Sequence, residues 1–108
     1  MKVIEGNLNA QGMRFTVVVA RFNSFFTEQL LKGAEDCFVR HGGSSDDLVV
    51  IRVPGANDIP SAVAKIAASG KTDAILALGV VIQGATPHAD LIENTVARAL
   101  SELSLKNS

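Results

Sequence analysis

The sequence predicts one α/β domain in which three parallel strands form an open sheet with helices packed on both faces. Three short apolar runs, rich in β-branched residues, alternate with segments whose apolar residues recur at helical spacing. The chain has 108 residues, 47% hydrophobic and 19% charged, which is enough for one compact core. The order β-α-β-α-β-α, joined by right-handed crossovers, is typical of three-layer flavodoxin-like folds.

The first βαβ unit covers residues 15–53. Phe15 to Ala20 reads FTVVVA and Leu48 to Val53 reads LVVIRV, and runs that are apolar on both faces suit strands covered from both sides. Asn23 or Ser24 is the candidate cap of the intervening helix, and Gly42-Gly43 is its stop signal. The predicted core face of that helix consists of residues at helical spacing: Phe26, Leu30, Ala34 and Phe38.

Two further units complete the predicted order. Pro60 suits the first turn of a second helix, which ends at Gly70. Ala74 to Ile82 is the third apolar run. The helix after the second strand carries an apolar face of Ile59, Val63, Ile66 and Ala67. The helix after the third strand carries an apolar face of Ile92, Val96, Ala99, Leu100 and Leu103.

Both ends of the chain predict contacts outside this domain. Lys2 to Glu5 alternates polar and apolar residues, so we expect a short strand that pairs with another subunit. Lys106 to Ser108 reads as a turn before a fourth strand, so we expect residues 1–108 to form a single domain without its last strand and closing helices. An unpaired sheet edge invites pairing with another chain, which favours a complex over a monomer.

Charge and composition exclude several function classes. Ten basic and eleven acidic residues leave a formal charge of -1, so no overall attraction to nucleic acid or to an anionic membrane is expected. Cys37, the one cysteine, is predicted to lie in the core, and no long apolar run indicates a leader or membrane helix, so we expect a cytoplasmic protein. No Cys/His cluster, phosphate loop with Lys or nucleophile elbow is present, which argues against metal and acyl-enzyme chemistry.

Three segments follow the predicted strands, where ligands collect in open parallel sheets. They are Arg21–Asn23, Pro54–Asp58 and Gln83–His88. An aromatic ring at Phe22 could stack on a planar ligand or cover the edge of the core. Asn57 and Asp58 could hydrogen-bond a polyol or heterocycle, or simply cap the second helix.

The third segment predicts an anion site beside an imidazole. Gly84 and Ala85 allow close backbone approach, and Thr86 with Pro87 starts a helix whose amides and dipole attract phosphate. A plain capped helix is the alternative. His88 lies in the first turn, where it could transfer protons near neutral pH or be a solvated surface histidine.

Three strand-exit segments, ARFNSF, RVPGANDIP and GVVIQGATPH, resemble the signature segments of lumazine synthases. MKVIEGNL, LLKGAEDCFVRHGG and DAILALG are similar in order and spacing, so the resemblance covers essentially the whole chain. It implies a transferase of riboflavin biosynthesis, which condenses 5-amino-6-(D-ribitylamino)uracil with 3,4-dihydroxy-2-butanone 4-phosphate. It also implies no cofactor, no metal, and a pentamer-based homo-oligomer that in many members closes into a shell.

The resemblance implies a role for each matching position. His88 would transfer protons. The pyrimidinedione, its ribityl chain and the phosphate would be held by three groups of residues: Phe22 stacking on the ring; Ala56, Asn57, Asp58, Val81 and Ile82 around the ring and chain; and Gly84, Ala85 and Thr86 at the phosphate.

Several positions depart from the family pattern. Asn57 and Asp58 stand where the family usually has an aromatic residue and Glu, so weaker ring binding is expected. Gln83 replaces the usual Arg, and Ala89 and Leu91 replace aromatic residues, which is expected to enlarge or reshape the region beside His88. The family's phosphate-binding Arg would lie beyond the end of this sequence, and losing that contact, worth about 1.5–3 kcal/mol, would leave the chain alone nearly inactive.

Three interpretations remain open at this point. The chain is an enzyme of riboflavin biosynthesis or a degraded relative of one, whose missing part another chain supplies if it is a split fragment. Alternatively, it is an engineered noncatalytic scaffold that self-assembles, or a generic phosphate-binding α/β domain.

Overall fold

The computed structural model describes residues 1–82 and 88–107. Three strands alternate with three α-helices, and two short 3-10 turns precede the second strand and the second helix. The elements are β1 (Phe15–Ala20), α1 (Ser24–Arg40), the turn Ser45–Asp47, β2 (Leu48–Val53), the turn Ala56–Asp58, α2 (Ile59–Ser69), β3 (Ala74–Leu78) and α3 (His88–Lys106).

The strands form one parallel sheet with the order β2-β1-β3. Phe15 lies opposite Leu48 on one side and Ala74 on the other, and Val19 lies opposite Arg52 and Leu78. Because β1 is central, its Val17 to Val19 side chains are 0% exposed. The predicted parallel sheet and the positions of β1 and β2 are confirmed.

Helices cover both faces of the sheet, as predicted. Side chains alternate along β1, so Val17 and Val19 pack against Leu31 of α1, while Val18 and Ala20 face the opposite way. On that opposite face they contact a core that includes Ile59 and Val63 of α2 and Leu100 and Leu103 of α3. One face therefore carries two helices and the other carries only α1 among the described residues.

The predicted core face of α1 is confirmed at Phe38, which is buried, but is wrong at Phe26 and Leu30. Its buried residues are Thr27, Leu31 and Phe38, whereas Phe26 and Leu30 remain 48% and 44% exposed. Cys37 is also exposed, not in the core. The apolar arc of this helix is wider than the strip that contacts the sheet, so spacing alone did not identify which part of the arc is buried.

Two predicted boundaries also differ. β3 ends at Leu78 and not at Ile82, because its pairing with β1 ends at the Val19–Leu78 pair. Residues 2–5 are exposed and pair with no strand of this chain, so the expected pairing with another subunit stays a prediction. Lys106 belongs to α3, so the predicted turn does not begin there.

The predicted helix signals of the first two helices hold. Pro60 lies in the first turn of α2, and Gly70, at a φ of 68°, follows its last residue. Gly42, with a φ of 95°, follows α1. Both positive φ values suit glycine, which has no Cβ to clash with the preceding carbonyl. None of the helices that the structure describes is long and apolar enough to span a bilayer.

Candidate functional site

A groove of about 580 Å³ lies at the carboxyl ends of the strands. Residues 22–23, 55–58 and 80–82 line it, together with Ala89 and Ile92 of α3. The parallel sheet creates this groove, because all its strands end at the same edge and the chain then turns into helices. The structure thus brings together Phe22, the 56–58 turn and the Val81–Ile82 segment at one site.

The exit of β1 forms one wall. The Arg21 N–H donates to the Val53 carbonyl at 2.7 Å, and the Phe22 N–H donates to the Pro54 carbonyl at 3.0 Å. These bonds extend the β1–β2 ladder past both strand ends. The Phe22 side chain is nonetheless 73% exposed, so the alternative in which it covers the core is wrong.

Asn23 follows in a left-handed conformation, with φ 65° and ψ 42°. Its backbone carbonyl accepts from the Phe26 and Thr27 N–H groups at 3.0 and 3.1 Å, which starts α1. The predicted capping position is correct, although the side chain does not cap the helix. Instead, Asn23 Nδ2 donates to the Val80 carbonyl at 2.8 Å, which joins two residues that line the groove.

The exit of β2 forms a second wall around a tight turn. Asp58 Oδ2 accepts the Gly55 N–H at 2.9 Å, and the Asp58 N–H donates back to the Gly55 carbonyl at 3.0 Å. Asn57 and Asp58 are exposed and Ala56 is half-buried. Asp58, which lines the groove, therefore orders this turn with one carboxylate oxygen, while Oδ1 makes no hydrogen bond within the described residues.

The third wall consists of residues 80–82, which follow β3, and of Ala89 and Ile92 in α3. Val80 and Val81 are half-buried and Ile82 is 60% exposed. Gln83 and the predicted phosphate-binding residues lie outside the described residues, as does the side chain of His88, whose backbone begins α3. The positions predicted to bind phosphate, all outside the described residues, are Gly84, Ala85 and Thr86. Ala89, the next residue of α3, is 5% exposed and lines the groove, whereas Leu91 is 66% exposed.

A bidentate ion pair lies beside the β2 exit. Arg52 Nε and Nη2 donate to Glu28 Oε1 and Oε2, each at 3.1 Å, which joins β2 to α1. Hydrogen bonding to Arg52 lowers the pKa of the Glu28 carboxyl, and the same contact raises the pKa of Arg52. Within residues 1–82 and 88–107, no group of three or more His, Cys, Asp or Glu side chains could hold a metal ion.

Sequence reasoning missed the structural part that Asn23 plays. An Asn between an apolar strand and a helix reads as a cap, and its reach to Val80 depends on the neighbouring position of β3 in the sheet. Ile92 was predicted as a core residue of the third helix, and it also contributes to the groove.

Comparison with known proteins places this geometry in a family context. The family model described as 6,7-dimethyl-8-ribityllumazine synthase matches residues 12–108. Curated relatives with that name from Chlorobaculum parvum and Desulfotalea psychrophila are each 52% identical to this chain, and each match covers 95% of this chain and 66% of the relative. The relative from Aquifex aeolicus is 46% identical, and the match covers 98% of this chain and 69% of the relative. The chain thus spans about two-thirds of the length of these relatives.

Proposed function

The chain belongs to the 6,7-dimethyl-8-ribityllumazine synthase family, and on that premise we propose that its strand-exit groove serves lumazine formation in riboflavin biosynthesis. The substrates are 5-amino-6-(D-ribitylamino)uracil and 3,4-dihydroxy-2-butanone 4-phosphate. The observation that carries the proposal is the groove of about 580 Å³ shared by Phe22, the 56–58 turn and residues 81–82. That volume lies within the range of small-molecule sites, about 300–1,000 Å³.

The groove offers an aromatic face, polar groups and apolar side chains. Phe22 presents an exposed ring on which the pyrimidinedione stacks. Asn57 and Asp58, exposed on the neighbouring turn, hydrogen-bond the ring edge and the ribityl hydroxyls, for which Asp58 Oδ1 is available. Ala56, Val81 and Ile82 contact the apolar surface of the ring.

The phosphate and the proton-transfer group are assigned to the start of α3. Backbone amides at Gly84, Ala85 and Thr86 hold the phosphate, favoured by the positive end of the 19-residue helix dipole. His88 moves protons while the substrate amine adds to the ketone. Imine formation at the ketone releases the first water, and removal of the adjacent proton then expels phosphate and leaves an enol. The enol becomes a ketone, and attack of the ribityl-bearing nitrogen on that ketone closes the ring with loss of the second water. These steps are proton transfers and eliminations, so the proposal needs no metal or redox cofactor.

Ligand binding and product formation test the proposal. Fluorescence titration with 6,7-dimethyl-8-ribityllumazine is expected to show binding that Phe22→Ala weakens about fivefold to tenfold, because a stacked aromatic face is lost. Phe25→Ala is the matched control, since Phe25 is 72% exposed, Phe22 is 73% exposed, and only Phe22 lines the groove. With both substrates present, His88→Gln is expected to slow product formation by about 10²–10⁴-fold.

Two outcomes contradict this function. One is a chain that folds but does not bind the lumazine. The other is an equal loss of affinity in the Phe22 and Phe25 variants, which would indicate a general effect of removing surface aromatic residues.

We also propose that the chain acts within an assembly, either a pentamer-based homo-oligomer or a complex with a complementing chain. Phe25, Phe26 and Leu30 form an exposed apolar surface on α1, where the two phenylalanine rings meet edge to face at 5.3 Å. Exposed apolar surface of this kind marks interaction sites. A second apolar groove, of about 440 Å³, lies between α1 and residues 7–13.

Light scattering of the purified chain, combined with intact mass spectrometry, tests the assembly. Particles that are multiples of five copies support the homo-oligomer, and a second polypeptide in the sample supports complementation. A monomer at micromolar concentration contradicts both. Large particles that do not bind the lumazine favour the noncatalytic scaffold over the enzyme.

A further inference from the structure

We propose that Asn23 is a positioning residue for the strand-exit groove, because its side-chain amide holds the exit of β3 against the exit of β1. The contact thereby sets the separation between Phe22 and residues 80–82, all of which line the groove. The inference rests on the proposed function only for the identity of the ligand. The contact itself is a property of the fold.

The two outer strands are attached to β1 in different ways at this edge. Toward β2, backbone bonds continue past the strand ends, from Arg21 to Val53 and from Phe22 to Pro54. Toward β3, the paired residues end at Val19 and Leu78. Beyond that pair, the hydrogen bond that joins the two segments among the described residues is the 2.8 Å bond from Asn23 Nδ2 to the Val80 carbonyl.

This bond substitutes a side-chain N–H for a backbone N–H of the ladder. By residue 23 the main chain has already turned into α1, where the Asn23 carbonyl accepts from the Phe26 and Thr27 N–H groups. The main chain therefore no longer continues the β1–β3 ladder, and the Asn23 side chain makes the bond to Val80 instead. The bond is partly buried. In such a setting, an unsatisfied carbonyl or amide is unfavourable, so the pair strongly prefers to stay together.

The residue type meets two requirements at once. Asn23 is the only non-glycine residue with a positive φ in the part of the chain that the structure describes. Asn tolerates this left-handed conformation better than most residues. Gly would suit the backbone but has no amide, and Asp would match the shape but cannot donate to Val80. Asn both adopts the left-handed backbone conformation and donates the hydrogen bond to Val80.

The consequence for the groove is geometric. Phe22 precedes Asn23 directly and its ring has little other support, being 73% exposed. A planar ligand that contacts Phe22 on one side and Val81 or Ile82 on the other needs both surfaces within about 4–4.5 Å of its own atoms. If the Asn23 bond is broken, that separation is no longer set and ligand affinity decreases.

The test compares Asn23→Asp with a control at the opposite end of the same strand pair. Asp73→Ala removes another side-chain contact between the β1 and β3 regions, the hydrogen bonds of Asp73 with Arg14, and Asp73 does not line the groove. Three measurements are made on each folded chain: thermal denaturation, backbone NMR shifts of residues 22 and 80–82 without ligand, and the Kd for 6,7-dimethyl-8-ribityllumazine.

Asn23→Asp is expected to shift the resonances of residues 80–82 and to weaken lumazine binding about fivefold, the ratio that corresponds to losing one typical hydrogen bond. Asp73→Ala is expected to lower the Tm but to leave both the 80–82 shifts and the Kd unchanged. If Asn23→Asp does not fold, Asn23→Gly serves instead, because glycine suits the positive φ and lacks the amide.

The outcomes separate this inference from the proposed function. Unchanged 80–82 resonances in the Asn23 variant overturn the positioning role, whatever the ligand does. Equal losses of affinity in the Asn23 and Asp73 variants also overturn it, since the effect is then one of stability. If the unaltered chain does not bind lumazine, the proposed function fails, while shifted 80–82 resonances still support the contact.

Discussion

Thr27 illustrates how a single buried residue can limit stability. This residue of α1 is 0% exposed, and its Oγ1 is the buried side-chain polar atom that has no hydrogen-bond partner among the described residues. Burying a hydroxyl without a partner costs about 1–3 kcal/mol. A methyl group at the same place would make the dispersion contacts without that cost.

We therefore expect Thr27→Val to raise the free energy of unfolding by about 1 kcal/mol. Thr27→Ser, which keeps the hydroxyl and removes the methyl group, is expected to lower it by about 1 kcal/mol. Urea denaturation followed by circular dichroism measures both. A Val variant that is less stable than the original chain would show that the hydroxyl is bonded after all.

At the scale of elements, α1 ends in a close packing of two aromatic rings and one glycine. Phe38 is 5% exposed and packs on Phe15 of β1, with ring centroids 4.8 Å apart. The Gly43 N–H donates to the Phe38 carbonyl at 2.9 Å, which brings the chain over the ring. A Cβ at Gly43 would overlap the edge of the Phe38 ring.

Gly43→Ala is accordingly expected to destabilise the fold by about 1–3 kcal/mol, since Phe38 must leave its position against Phe15. Gly33→Ala provides the control, because Gly33 lies in the exposed middle of α1 and an added Cβ meets nothing within 4 Å. That change is expected to stabilise by about 0.5–1 kcal/mol. Chemical denaturation measures the free energy of unfolding of both variants. Equal changes in the two would contradict the close packing of Gly43 on Phe38.

At the scale of the whole molecule, two exposed ion pairs connect elements at opposite ends of the sheet. Near the amino ends, Asp73 accepts the Arg14 backbone N–H at 2.7 Å and the guanidinium Nη2 at 3.3 Å. Near the carboxyl ends, Arg52 binds Glu28 in a bidentate manner. Hydrogen bonding to these arginines lowers the pKa of both carboxyls.

A carboxyl with a lowered folded-state pKa contributes stability above its unfolded-state pKa and loses that contribution as the pH falls through the folded-state value. Asp73→Asn and Glu28→Gln are therefore expected to reduce the loss of thermal stability below about pH 4. The effect is small and decreases with salt, because both pairs are exposed.

Thermal denaturation from neutral pH down into the acid range, at low and high salt, measures this dependence. Glu102→Gln is the control, since this exposed carboxylate of α3 makes no ion pair within the described residues. If the Tm decreases by the same amount at acid pH in all variants, neither ion pair contributes to stability.

Much of the architecture follows from local pattern. The β-branched runs predicted β1 and β2 at their observed bounds, and Pro60 with Gly70 predicted the ends of α2, because these signals depend on backbone preferences of the residues themselves. The parallel arrangement then placed Phe22, residues 56–58 and residues 81–82 at one edge. The roles assigned to these residues, and to His88, remain predictions.

Packing decided what local pattern could not. The spacing of apolar residues in α1 is helical, yet Thr27 and Leu31 are buried while Phe26 and Leu30 are exposed, because burial depends on which arc of the helix meets the sheet. β3 ends at Leu78, and Asn23 reaches Val80, because β1 and β3 are neighbours in space. The sequence by itself determined the elements and the edge that carries the site, since these depend on short-range preferences. Only the tertiary structure decided which side chains contact one another, because those contacts join residues that are distant along the chain.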